Sequence, residues 1–172
     1  MKKKITILVL IVTFVFLTAC GQKPDESGEA HVKNMFIEIP DGFKTSTNSG
    51  LFMAPGYPED TSNLYIYSEK KYDDFDTLMG GGKEDFAENL KNAYSEQYGE
   101  DVDICISAYE KTTVGNYPAY YVELSYNLMG DDYLQKEYII DGDVTYYIAF
   151  SNVGGNDHTA EFEAAMKTIR FE

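Results

Sequence analysis

The clearest structural signal in the sequence is VGNYPAYYVELSYNLMGDDYLQKEYIIDGDVTYYIAFSN, residues 114–152. It contains three runs rich in β-branched and aromatic residues, at 117–129, 133–141 and 144–152. Gly130-Asp131 and Asp141-Gly142 separate these runs, and glycine and aspartate tolerate the positive φ angles of tight hairpin turns. With a further run at 102–113 before the stretch and the turn Gly115-Asn116 at its start, the pattern predicts a four-stranded antiparallel meander.

Outward from the meander, three shorter strands are predicted at 33–39, 51–53 and 63–68. Phe86 and Leu90 recur at helical spacing in a segment that Gly99 ends. A last helix is predicted to begin near Asn156 or Asp157, with an apolar stripe of Phe162, Ala165, Met166 and Ile169. The order of elements predicts an α+β fold in which an antiparallel β-sheet is flanked by helices.

The N-terminus has the features of a secretory signal peptide, expected at residues 1–19. Lysines at positions 2–4 precede the apolar run 5–17, which is shorter than the roughly 20 residues of a membrane-spanning helix. Leu17-Thr18-Ala19-Cys20 resembles the bacterial lipobox. The resemblance implies cleavage before Cys20 and a covalent lipid on its sulfur, and no other cofactor is expected. The alternative is an ordinary signal peptide with a chance cysteine.

Three segments and one location follow from that interpretation. Residues 1–19 form the signal, 20–31 the lipidated cysteine with a flexible tether, and 32–172 a single domain. The lipid would hold the protein to the extracytoplasmic face of the cell membrane. The membrane is then one partner, and an extracytoplasmic protein is a second expected partner.

The composition is strongly acidic, with a formal net charge of −15. This charge excludes nucleic acid as a partner, because nucleic-acid binding needs a basic face. It also argues against a domain that lies flat on anionic lipid. Two interpretations stay open: a solvated surface that keeps an exported protein soluble, or an acidic patch for a cationic partner or a divalent ion.

Catalytic residues and metal ligands are not assigned. Once Cys20 is acylated, Cys105 is the one remaining cysteine, and His31 and His158 are the two histidines. None of these residues has the spacing of a nucleophile–base pair or a zinc site. Cys105 is therefore expected to be a small, packed strand residue.

The tyrosine content is the most informative chemical feature, since the chain has 15 tyrosines and no tryptophan. Strand alternation separates an aliphatic face of the sheet from a face rich in tyrosine and serine. The candidate binding face comprises Tyr65, Tyr67, Tyr109, Tyr121, Glu123 and Tyr147. The alternative is that a helix covers this face and that the rings belong to the core.

Four segments carry a resemblance to the Mog1p/PsbP-like family: FIEIPDGF (36–43), VGNYPAYYVELSY (114–126), DGDVTYYIAFS (141–151) and FEAAMKTIRFE (162–172). The resemblance implies an α/β/α sandwich around an antiparallel sheet. It also implies a partner or accessory subunit, and some members are lipid-anchored in bacteria. The expected function is a non-enzymatic binding or accessory module on the outside of the membrane. A lipoprotein that binds a small ligand or a divalent metal is the alternative, and an enzyme is a third.

Overall fold

The structure is a computed structural model, which describes residues 28–46, 50–99 and 101–172. The signal segment and Cys20 lie outside the described residues. The ten strands are β1 (Glu29–Val32), β2 (Met35–Glu38), β3 (Lys44–Thr45), β4 (Leu51–Met53), β5 (Asn63–Glu69), β6 (Cys105–Val114), β7 (Tyr117–Leu128), β8 (Asp131–Asp141), β9 (Thr145–Val153) and β10 (Arg170–Phe171). The three helices are α1 (Phe75–Leu78), α2 (Lys83–Tyr98) and α3 (Thr159–Met166).

A seven-stranded antiparallel sheet forms the centre of the fold, in the order β3-β4-β5-β9-β8-β7-β6. Strands β6 to β9 are the predicted meander, which the structure confirms. Two of its turns contain the expected positive φ angles, 59° at Gly115 and 94° at Gly130. At the β8–β9 turn, a Cβ on Gly142 would lie 2.6 Å from the Tyr146 ring, so the turn requires glycine there.

A second, three-stranded sheet has the order β1-β2-β10. Strand β1 begins at Glu29, inside the segment 20–31 that was expected to be a flexible tether. The expectation was wrong for residues 29–31 because Ala30 and Val32 are buried against the core while β1 pairs with β2. The expectation that residues 32–172 form a single domain stays a prediction.

Helices pack against both faces of the large sheet without covering them completely, and each face holds one core cluster. Helix α2 contributes Phe86, Leu90 and Tyr94 to one cluster, and α3 contributes Phe162 and Ala165 to the other, which also holds the β1-β2 hairpin. Gly99 ends α2 with a φ of 70°, as predicted. The α+β fold with an antiparallel sheet flanked by helices is therefore confirmed. None of the described helices is both long and apolar enough to cross a bilayer.

Candidate functional site

The six residues of the candidate binding face do not share one face of the sheet. Tyr67 pairs with Tyr147, and Tyr65 pairs with Ala149, so these rings lie on the side of the sheet that α2 covers. Tyr109 also contacts α2, with its ring centroid 5.6 Å from that of Phe86. The remaining two residues, Tyr121 and Glu123, lie on the opposite side. The prediction of one continuous face was therefore wrong.

Two features of the strands explain the error. A β-bulge between Ile106 and Ala108 in β6 shifts the alternation, so that Tyr109 points to the same side as Ile106. Strand β7 buries residues on both of its faces, and alternation within one strand does not show which set meets which helix. In the assembled sheet Val122 pairs with Glu137, and Glu137 pairs with Ala149. This register shows which side chains of β7 face α2, and the sequence of one strand does not contain it.

On the α2 side of the sheet Tyr67 is buried, and Tyr65, Tyr109 and Tyr147 are half-buried. The rings of Tyr67 and Tyr147 stack with centroids 4.4 Å apart and planes 2° apart, and Tyr65 lies 5.0 Å from Tyr67. Tyr109 donates a hydrogen bond of 2.8 Å to the carbonyl oxygen of Met79. Burial, with a contribution from Tyr120, raises the pKa of Tyr109 to about 12. The contacts of Tyr109 with Phe86 and Met79 stabilise the packing of the α1–α2 segment on the sheet.

A buried polar chain runs across the same side. The Tyr126 hydroxyl donates to Oε1 of Gln135 at 2.8 Å, and Nε2 of Gln135 donates to Oε1 of Glu137 at 2.5 Å. Burial raises the pKa of Glu137 to about 7, and the hydrogen bond from Gln135 opposes that rise. Glu137 was not predicted from the sequence. It lies two residues before the apolar Ile139, so strand alternation places its side chain on the same interior side of the sheet.

The opposite side of the sheet holds a partly exposed polar and aromatic surface, which we call the open face. It comprises Tyr121, Glu123 and Ser125 of β7 and Leu134, Lys136 and Tyr138 of β8. Tyr121 belongs to neither core cluster, and Leu134 is 42% exposed. The registers place these side chains beside one another on adjacent strands.

Glu123 is held in one orientation on the open face. Its Oε2 accepts a hydrogen bond of 2.7 Å from the Tyr121 hydroxyl, and its Oε1 accepts one of 3.1 Å from Ser107. The Tyr121 ring lies 5.0 Å from the Tyr138 ring. Burial, and then the bond to Glu123, raise the pKa of Tyr121 well above its usual range, so the phenol stays a donor. The carboxylate is thus ordered before any partner arrives.

A groove of about 630 Å³ adjoins the open face at one end of the sheet. Its walls include Cys105, Ser125, Leu134, Asn152 and Thr159, together with the carboxylates of Asp103, Asp132 and Asp157. Cys105 is exposed, so the expectation of a packed cysteine was wrong. The physical reason is its place at the first residue of the edge strand β6, opposite the exposed Ser125.

The acidic and histidine side chains of the described ranges lie apart from one another or have local contacts. No three side chains among His, Cys, Asp and Glu lie close enough together there to hold a metal ion. The acidic segment at 73–76 has local structural roles: Asp74 accepts hydrogen bonds from Thr77 at the start of α1, and Asp76 pairs with Lys111 at 2.9 Å. Nε2 of His158 lies 2.7 Å from Oδ2 of Asp60, in the loop between β4 and β5.

No protein-family model and no curated protein matches the sequence. Among solved structures, the chain is similar to cyanobacterial PsbP (CyanoP) from Synechocystis sp. PCC 6803, with a TM-score of 0.55, 12% identity, and coverage of 95% of this chain and 99% of that chain. It is also similar to LpqN of Mycobacterium tuberculosis, with a TM-score of 0.50, 15% identity, and coverage of 78% and 81%. At these identities the likeness shows the fold alone, and the fold is PsbP-like.

Proposed function

We propose that this protein is a lipid-anchored, extracytoplasmic binding or accessory module without enzymatic activity, and that the open face is its binding surface. The PsbP-like fold supports a partner role, since the similar structures include LpqN, described as involved in cell envelope biogenesis. The observation that carries the proposal is the ordered Glu123 carboxylate beside the half-exposed rings of Tyr121 and Tyr138.

The anchor would be Cys20, directly behind the apolar run of the signal segment. One acyl chain binds a membrane only marginally, whereas two or three chains on one residue bind it firmly. Residues 20–28 span at most about 30 Å when fully extended. The domain, which begins with β1 at Glu29, would therefore work close to the membrane surface.

The open face has the composition of a protein-binding surface. Tyrosine offers a large apolar ring with a polar tip, and it is enriched where interfaces must be wet before a partner binds. A carboxylate that is already fixed by Tyr121 and Ser107 loses little side-chain freedom on binding, which favours affinity. The apolar and polar side chains are spread over two neighbouring strands. Such a surface suits the binding of a protein partner better than catalysis.

The test is recovery of cross-linked partners from membranes that carry the anchored protein. Tyr121→Ala is expected to lower recovery about fivefold or more while the melting temperature falls by only a few degrees. Tyr57→Ala is the matched control, because Tyr57 is 56% exposed on a different surface, and its recovery should equal that of the wild type. Equal recovery with Tyr121→Ala and Tyr57→Ala would show that the open face does not bind.

A further inference from the structure

We infer that the groove at the end of the open face binds a cationic segment of a protein partner, one that carries lysine or arginine side chains. This inference rests on the proposed function and names the chemistry of the partner. The groove lies between the first residues of β6 and β8, the end of β7, and the segment that leads into α3.

The groove is a formed feature of the fold, because hydrogen bonds fix its walls. Asn152 accepts a hydrogen bond of 2.9 Å from the backbone N–H of His158 and donates one of 3.2 Å to the Thr159 hydroxyl. On the other wall, Asn127 donates to Asp132 at 2.9 Å. These hydrogen bonds attach the segment before α3 to the end of β9. The groove therefore lies between this attached segment and the strands of the sheet.

The charges along the groove and the open face have one predominant sign. Carboxylates lie along both, at Asp103, Glu110, Glu123, Asp132, Asp157 and Glu163. Lys136 is the one cation that the described strand registers place on this face, and its ammonium lies 3.6 Å from Glu163. Lys136 also lies opposite Glu123 in the strand register, and the remaining carboxylates have no basic partner among the ion pairs of the described residues. This arrangement is complementary to a positively charged segment.

The spacing of the groups favours an extended peptide over a metal ion. The carboxylates follow the length of the open face, and in the described part of the chain no three potential ligands converge on one point. Leu134, 42% exposed, and the rings of Tyr121 and Tyr138 lie between the charges. In an extended segment every second side chain points to the same side, so a segment that is cationic at every second position would direct all of these charges toward the carboxylates.

The test measures binding of a fluorescent peptide of alternating arginine and alanine to the purified full chain, by anisotropy at low salt. Removal of two charges in Glu123→Gln/Asp132→Asn is expected to weaken binding about tenfold. The control, Asp41→Asn/Glu96→Gln, removes the same charge from exposed positions elsewhere and should leave affinity unchanged. Equal weakening in both double variants would mean attraction to net charge alone and would overturn the inference.

Cys105 supplies a second measurement that does not depend on the double variant. Its thiol is exposed in the groove, so bound peptide should slow its alkylation about fivefold, with mass spectrometry used to follow Cys105 separately from Cys20. Unchanged alkylation at saturating peptide would contradict the inference. Protection by calcium chloride alone, lost in Asp132→Asn, would also overturn it and identify a divalent-ion site instead.

The two proposals fail in different ways. If the arginine–alanine peptide does not bind while Tyr121-dependent recovery from membranes persists, the cationic partner is wrong and the binding module stands. If neither binding nor Tyr121-dependent recovery is found, the proposed function is wrong as well.

Discussion

Glu137 is a single residue whose protonation is coupled to folding. The residue is 8% exposed, and its carboxylate accepts a hydrogen bond from Gln135. The tyrosine rings of β5 and β9 lie nearby and offer little solvation to a charge. A buried acid with an incomplete set of donors is more stable protonated than ionised, which is why its pKa rises.

The first prediction concerns Glu137→Gln. The pKa of Glu137 is about 7 in the folded protein, compared with an ordinary value of 4.5. Between pH 4.5 and pH 7 the folded state therefore retains a proton that the unfolded state has lost. Stability therefore falls as pH rises from 4.5 to 7. Glu137→Gln should remove this dependence and raise the free energy of unfolding at pH 8 by about 3 kcal/mol, as measured by urea unfolding at pH 5 and pH 8.

Glu88→Gln is the control for that measurement, because Glu88 is exposed on α2. It should change the free energy of unfolding by less than about 0.5 kcal/mol at either pH. If Glu137→Gln is no more stable than the wild type at pH 8, the carboxyl is better solvated than the structure indicates.

Among the elements of the fold, the loop between β4 and β5 is joined to the start of α3 by a side-chain contact. Oδ2 of Asp60 lies 2.7 Å from Nε2 of His158, and Oδ1 accepts a hydrogen bond of 2.9 Å from the backbone N–H of Ser62. The His158 ring packs edge-on against Phe43, with centroids 5.3 Å apart. This contact joins residues that are far apart in sequence and fixes the start of α3.

The second prediction concerns Asp60→Asn. Burial acts to raise the pKa of Asp60, but hydrogen bonds from His158 and Ser62 outweigh it and hold the pKa below its usual value of 3.8. Its contribution to stability is present above pH 3.8 and is lost as pH falls through the lowered folded value. Asp60→Asn should cost roughly 2 kcal/mol at pH 6, and the difference from wild type should shrink below pH 3.8 in urea unfolding.

Asp41→Asn, at an exposed turn, is the control and should match the wild type throughout this pH range. An Asp60→Asn protein that is as stable as wild type at pH 6 would show that the loop is held by its other contacts alone.

Elements with strong local signals could be predicted from the sequence. The meander and α2 depend on hairpin residues and on helical spacing, which are properties of neighbouring residues. Strands β1, β3 and β10 were missed because two to four residues are too few to show alternation. The two sides of the sheet could not be assigned, since the bulge at Ile106 and the register of β7 depend on the assembled fold.

The candidate site could be predicted only in part for the same reason. Tyr121 and Glu123 were identified from alternation in β7, and the structure leaves both partly exposed. The groove was not foreseen, because it forms between the starts of β6 and β8 and the segment before α3. Cys105 was misassigned because a strand residue at the sheet edge has no neighbour on its outer side.

At the scale of the whole molecule, the fold presents one open face on a sheet that is otherwise covered by helices and by the β1-β2 hairpin. The net charge of −15 repels anionic lipid, so the domain would not adhere to the membrane by its own surface. A covalent lipid on Cys20 would supply the attachment, and the open face would remain accessible to partners near the membrane.

The third prediction, processing and lipidation at Cys20, tests the central claim most directly. Mass spectrometry of the N-terminal peptide from membrane-bound protein should find a chain that begins at Cys20 and carries lipid, because its sulfur would be acylated before cleavage. Cys20→Ala should leave an uncleaved precursor without lipid, while Cys105→Ala should be processed like the wild type. A wild-type chain that begins at another residue, or a Cys20→Ala chain that is still cleaved at the same bond and carries lipid, would contradict the lipid-anchored module.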